Sequence, residues 1–141
     1  MKRNVAASGP INLAIVRSKF NGEITSKMLK AALSQAKKRG VAVAAVAEVP
    51  GAFDIPLAAK RLLKRRDVDC VATIGAIVKG GTKHDEVIAM ALAHWLPALA
   101  LEFEKPVSLG VIGPGVTEAQ AKARAVEYAA RAVDAAIDLV V

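Results

Sequence analysis

Two kinds of apolar pattern alternate along this chain: short, nearly unbroken runs and longer stretches that repeat every three to four residues. Residues 11–16 and 68–78 are apolar at most positions, and 41–47 is built from Val and Ala. Such runs suit buried strands, because a strand covered on both faces shows no polar side. Residues 106–112 give a fourth run. After the first, Ile24, Met28, Leu29, Ala32, Leu33 and Ala36 recur at helical spacing and close at Lys37-Lys38-Arg39, with Gly40 as the C′ glycine. Residues 53–66 make a second helix with Pro56 in its first turn. A third spans 85–102, with Val87, Ile88, Ala91, Leu92, Trp95 and Leu99 on one side, and Pro97 is expected to bend or break it. Thr117 caps a last helix that runs to about Asp138 and carries Ala121, Ala125, Tyr128, Ala132 and Ile137.

Strands that alternate with helices and are apolar on both faces belong in a parallel sheet with helices on either side. The expectation is an α/β fold, a small doubly wound four-stranded sandwich, formed by one domain over 1–141 with an irregular lead at 1–10. Ligands of such sheets bind at the carboxyl ends of the strands. The segments at those ends are 18–22, 48–53, 79–85 and 113–115, the last read as a turn after the fourth strand. They collect glycines, prolines, Phe20, Phe53 and His84, whereas the opposite edge has short charged turns.

Composition narrows the possibilities. An apolar share of 54% with 23% charged residues fits a packed globular chain. No apolar run is expected to reach the length of a membrane span, and residues 1–10 lack the apolar core of a secretory signal, so no membrane partner is expected. Cys70 is the single cysteine, which excludes an internal disulfide and suggests a reducing, cytoplasmic setting. The net charge of +7 gathers in Lys37-Lys38-Arg39 and in Lys60-Arg61 with Lys64-Arg65-Arg66, both at helix ends where cations complement the dipole. With 4% aromatic residues and no reading module, nucleic acid is not an expected partner; an anionic small substrate is the better use of the charge.

The candidate chemistry centres on Gly80-Gly81-Thr82-Lys83-His84, where a strand breaks at two glycines and a helix begins. Backbone N–H groups at such a junction can face an anion, and a histidine there can move protons near neutral pH. The segment matches no Walker or dinucleotide pattern. Each residue has a plainer reading beside this one. Phe20 and Phe53 serve either as core or as stacking surfaces for a flat ring, and His84 either opens a helix or acts in catalysis. His94 and Trp95, inside the third helix, read as structural and core, and Cys70 reads as a small buried strand residue.

Taken together, the strand-end segments resemble the lumazine synthase family, and the last of them resembles its archaeal branch. The matching pieces are Phe20-Asn21; Val49-Pro50-Gly51-Ala52-Phe53-Asp54-Ile55-Pro56; Gly75-Ala76-Ile77-Val78-Lys79-Gly80 with Thr82 and His84; and Leu109-Gly110-Val111-Ile112-Gly113-Pro114-Gly115-Val116-Thr117 leading to Gln120 and Arg124. They run from about Asn12 to Asp138, in order. The resemblance implies a flavodoxin-like three-layer sandwich that condenses 5-amino-6-ribitylaminouracil with 3,4-dihydroxy-2-butanone 4-phosphate, without metal or organic cofactor. It implies that Phe20, with Asn21 beside it, stacks on the pyrimidine. Ala52, Phe53 and Asp54 would hold the ribityl chain, and Ile77 and Val78 the uracil edge. Gly81, Thr82 and Arg124 would bind the phosphate, and His84 would be catalytic.

The chain departs from the family at two places. Gly81 stands where many members carry an acidic residue, and Leu109 where an aromatic from the neighbouring subunit often packs on the pyrimidine. The chain stops soon after its last helix, so the C-terminal contacts of longer members are expected to be missing. The family implies a homo-oligomer, a pentamer or a 60-subunit shell, with sites between subunits and Leu109 and Arg124 facing the Phe20 and His84 loops of the next chain. The alanines at 121, 125, 129, 132 and 136 are expected to pack around the fivefold axis. The alternatives are an archaeal-type riboflavin synthase, which would need no phosphate site, and a non-catalytic flavin-binding or shell protein.

Overall fold

In the computed structural model the described residues are 9–140, so most of the irregular lead expected at 1–10 lies outside the described residues. The elements are β1 (Asn12–Ser18), α1 (Gly22–Lys38), β2 (Ala42–Val49), α2 (Ile55–Leu63), β3 (Cys70–Val78), α3 (His84–Phe103), β4 (Val107–Val116) and α4 (Glu118–Asp138). The strands form one parallel sheet in the order β2-β1-β3-β4. This is the expected three-layer α/β arrangement. Successive side chains of a strand point to opposite faces. Leu13 and Ile15 accordingly join α1 and α4 on one side, whereas Ala14 and Val16 join α2 and α3 on the other. All but the last residue of β3 are buried, as an interior strand under two helical layers must be.

Helix ends follow local chemistry. Gly40 donates to the Lys37 carbonyl and Val41 to that of Ala36, the paired bonds of a Schellman ending. Thr117 and Gln120 form the reciprocal capping box that opens α4. Arg39 bonds Asp134 and Asp138 at 2.8 and 2.7 Å, tying the end of α1 to α4. The second helix is shorter than 53–66, because a 3-10 turn at Ala52–Asp54 precedes it and Lys105 closes its end. The Lys105 ammonium donates to the Leu63 and Arg65 carbonyls, both at 2.9 Å.

Further expectations are corrected. Residues 113–115 are part of β4 rather than a turn, since the register passes from Ala76↔Ile112 to Val78↔Val116 across a bulge. Gly113 has φ +111°, and a Cβ there would lie 2.3 Å from the Ile77 carbonyl oxygen, so only glycine fits. Pro97 does not break α3, which is continuous from His84 to Phe103; Pro97 and Ala93 are both exposed, so water can serve the carbonyl that loses its partner. The buried side of α3 is Leu92, Leu96 and Leu99 with Ile88 packed nearby, while Val87 and Trp95 are more than half exposed and His94 meets Trp95 edge to face. A helix apolar all round gives no unique core face in its sequence. Finally, Ala121, Ala125, Ala129, Ala132 and Ala136 are spent inside the chain against the sheet and α1, so none of these five is free to line an axis.

Contrary to the expectation of no membrane-length apolar stretch, α3 is long and apolar enough to cross a membrane by length and composition (20 residues, hydropathy 1.4). Its inner side packs on the sheet, so it is the outer side that needs explaining. Elsewhere α4 lies very close to the strands: a Cβ on Gly110 would come within 2.3 Å of the Thr73 carbonyl oxygen and 2.6 Å of the Ala132 Cβ. Neither neighbour is a flexible side-chain end. Gly110→Ala should therefore destabilise the chain by about 2 kcal/mol or more, read as a lower urea midpoint at fixed chain concentration. An unchanged midpoint would contradict this packing.

Candidate active site

The chain runs from β1 to β2 on one side and then crosses to β3 on the other, so adjacent strands β1 and β3 send their connections in opposite directions. This topological switch opens a crevice at the carboxyl edge of an α/β sheet. A cavity of about 450 Å³ lies there, walled by Phe20 and Asn21 after β1, Gly51 to Phe53 after β2, Ala76 to Val78 of β3, and Gly80, Thr82, His84, Asp85 and Ile88. Its volume matches that of a drug-sized ligand site.

The loops around it are fastened individually. Asn21 adopts a left-handed conformation (φ 56°, ψ 49°), which asparagine tolerates better than most residues. Its side-chain amide donates to the Ala76 carbonyl at 2.8 Å, latching the first loop to the end of β3. Arg17 holds the same loop from below, bonding Glu48 at 2.8 Å and reaching Thr25, Ser26 and the Gly22 carbonyl in the first turn of α1. Lys19 and Phe20 donate their N–H groups to the Val49 and Pro50 carbonyls, so the first and second loops form one unit. Phe20 and Phe53 are 69% and 64% exposed, which excludes the core reading for both and leaves two aromatic faces on the cavity.

The loop after β3 is held at its two ends. Lys79 N–H donates to the Val116 carbonyl at 2.7 Å, and the buried Asp85 carboxylate accepts from Gly115 N–H at 3.0 Å. Between these ties, Thr82 Oγ1 accepts from His84 N–H at 3.3 Å. His84 is the first residue of α3, so the imidazole and the positive end of a 20-residue helix share one wall. Gly80 and Gly81 have open space where a Cβ would be, so the absence of an acidic side chain at Gly81 is no packing requirement.

Of the residues singled out in the sequence, Phe20, Asn21, Ala52, Phe53, Ile77, Val78, Thr82 and His84 share the cavity wall. Gly81 adjoins it. Asp54 does not line it: Asp54 Oδ2 accepts from Gly51 N–H at 3.0 Å and so shapes the turn that presents Phe53. Leu109 and Arg124 are exposed and also stand off this cavity. Sequence reasoning missed Arg17 and undervalued Asp85. A charge at the end of an otherwise apolar strand was the available signal for Arg17; nothing local marked Asp85, whose partner lies thirty positions on. The basic clusters sit at the C-terminal ends of α1 and α2, at the opposite sheet edge from this cavity. Among the described residues, no three His, Cys, Asp or Glu side chains converge to hold a metal ion.

The arrangement offers flat apolar faces, strand-end backbone groups, a helix N-terminus with a hydroxyl, and one proton carrier. Comparison with known proteins gives this edge a family. Residues 10–141 match the family model described as 6,7-dimethyl-8-ribityllumazine synthase. A protein of that name from Metallosphaera sedula is 55% identical over 129 residues, covering 92% of this chain and 85% of the relative. Those from Sulfolobus acidocaldarius and Saccharolobus solfataricus are each 52% identical over 130 residues, covering 92% of this chain and 82% and 84% of the relatives. With the matched region spanning every element of the sheet and every loop of the cavity, the chain belongs to the 6,7-dimethyl-8-ribityllumazine synthase family.

Proposed function

We propose that this chain condenses 5-amino-6-ribitylaminouracil with 3,4-dihydroxy-2-butanone 4-phosphate, giving 6,7-dimethyl-8-ribityllumazine, phosphate and water, a transferase step of riboflavin biosynthesis. The observation that carries the reading is a cavity in which two aromatic faces meet Thr82 and the helix N-terminus that begins at His84. In this reading the pyrimidine lies against Phe20, with the Ile77 and Val78 backbone at its edge and the ribityl chain along Ala52, Phe53 and Asp54. The phosphate sits at Gly81 and Thr82, where the dipole of α3 and a hydroxyl favour an anion.

The chemistry proceeds by imine formation, loss of phosphate and ring closure. Each step takes a proton from one atom and gives one to another. An imidazole that accepts in one step and donates in the next suits this sequence, and positioned acid–base groups contribute about 10²–10⁴-fold. Holding both substrates side by side removes much of the entropic barrier. Helix dipole and hydroxyl are fixed before reaction, so they stabilise departing phosphate without reorganising. The lone thiol, Cys70, is fully buried and takes no part; we place the reaction in the cytoplasm.

Members of this family act on small molecules and assemble as oligomers, and we assign this chain a pentamer, alone or as the unit of a 60-subunit shell. Two observations support sites shared between chains. Leu109 and Arg124 are exposed away from the cavity, as residues serving a neighbour's site would be. The outer side of α3 exposes Val87, Met90 and Leu101, with Trp95 exposed to one side of them, large apolar surface of the kind protein interfaces use.

The absorbance of the product tests the activity directly: lumazine should form when both substrates are supplied, and its absence would defeat the proposal. His84→Ala should stay folded and lose about 10²–10⁴-fold in kcat; an undiminished rate would remove His84 from the mechanism. Supplying lumazine alone should yield no riboflavin, and riboflavin formation would favour the synthase alternative. Met90→Lys places a charge on this apolar surface and should shift the light-scattering mass toward the single chain. An unchanged mass would move the contact elsewhere.

A further inference from the structure

We propose that Asp85 is a positioning residue for His84, acting through the geometry of its bond to Gly115 rather than through its charge. The inference rests on the proposed role of His84. Asp85 lines the cavity and is only 7% exposed, and Asp85 Oδ2 accepts from Gly115 N–H at 3.0 Å. A buried carboxylate is costly unless its oxygens are hydrogen-bonded, so its place here calls for a partner, and Gly115 is that partner.

The need for this bond lies in how α3 starts. Lys83, at the N-cap position, makes no side-chain cap, so the helix entry lacks the usual local lock. The bond from His84 N–H to Thr82 Oγ1 stays within the loop and ties it to nothing else. Asp85 supplies the missing attachment, joining the first turn of α3 to the tail of β4. That tail also receives the other end of the loop, through Lys79 N–H and the Val116 carbonyl. Gly115 has φ +77° within the bulged segment, a conformation that turns its N–H out of the β3 ladder and toward α3. The imidazole is one residue from this anchor. A change of side-chain length at Asp85 would therefore move the ring relative to the cavity.

A favourable charge at the helix start would give the carboxylate a different role, and the two roles rank variants oppositely. Asp85→Asn keeps an acceptor oxygen at the same distance from the backbone and removes the charge. Asp85→Glu keeps the charge and displaces the acceptor by one methylene. Geometry requires Asn to behave like the parent and Glu to fail; charge requires the reverse.

The test uses the full chain labelled with ¹³C-histidine, which gives two ring signals because the chain has two histidines, assigned with His84→Ala. Asp85→Glu should shift the His84 signal and lower kcat by up to about 10²-fold with KM little changed, the mark of misplacement rather than lost binding. In Asp85→Asn both should stay near the parent values. A parent-like Asp85→Glu, or an Asp85→Asn that alone loses activity and shifts the signal, would overturn the proposal. The ring signals do not depend on turnover. A parent chain that forms no lumazine would therefore defeat the proposed reaction, while the spectra of the variants still decide the role of Asp85.

Discussion

The pairing of β3 with the last residues of β4 is the constraint on which the site depends. Between Ala76 and Val78 the partner strand advances from Ile112 to Val116, so four steps of β4 are set against two of β3. The surplus forms a bulge that only Gly113 can occupy, given the Ile77 carbonyl at 2.3 Å from a Cβ. Bulges redirect the residues beside them. Here the redirected tail holds the β3–α3 loop at both ends, through Val116 and Gly115. The carboxyl edge is thus built on a rigid strand rather than left to a free loop, the condition for presenting His84 and the proposed anion site with fixed geometry.

The same economy governs the other layers. β1 and β3 are nearly buried throughout, so their residues are committed to the core, and the loops beyond them are left to carry chemistry. α4 commits Ala121, Ala125, Ala129, Ala132 and Ala136 to close packing in the core. Among the described helices α3 exposes the most large apolar side chains, Val87, Met90, Trp95 and Leu101, while its inner side is buried against the sheet. The positive charge is divided as well. Its two main clusters sit at helix C-termini on the far edge, where α1 is held to α4 by Arg39 and the acids Asp134 and Asp138. Those acids keep Arg39 above its ordinary range, mainly through the hydrogen bond to Asp138.

Strand and helix order was legible because buried parallel strands and amphipathic helices carry different periods, and Gly40 and Thr117 mark helix ends by local rules. The carboxyl-edge loops could be gathered into one site because topology alone brings them together. Less legible were features set by tertiary partners. Nothing near Gly113 shows that it lies opposite the Ile77 carbonyl, so a bulge read as a turn. Trp95 read as core because α3 is apolar all round. The bond from Gly51 N–H to Asp54 Oδ2, which shapes the turn presenting Phe53, is likewise unmarked in the sequence. Asp85, an acid in the first turn of a helix, carries no local sign of its bond to Gly115, since that contact is remote in sequence.

The central claim is a condensation at a cavity completed by a neighbouring chain, and mixing two disabled chains tests it most directly. His84→Ala and Arg124→Ala would each be purified, shown to be nearly inactive, dissociated and assembled together. A site receiving His84 from one chain and Arg124 from the next would be intact in about a quarter of random neighbour pairs, as expected for a head-to-tail ring. The account predicts that lumazine formation returns to roughly that share of the parent rate. Co-assembled particles that remain as inactive as either variant alone would contradict it.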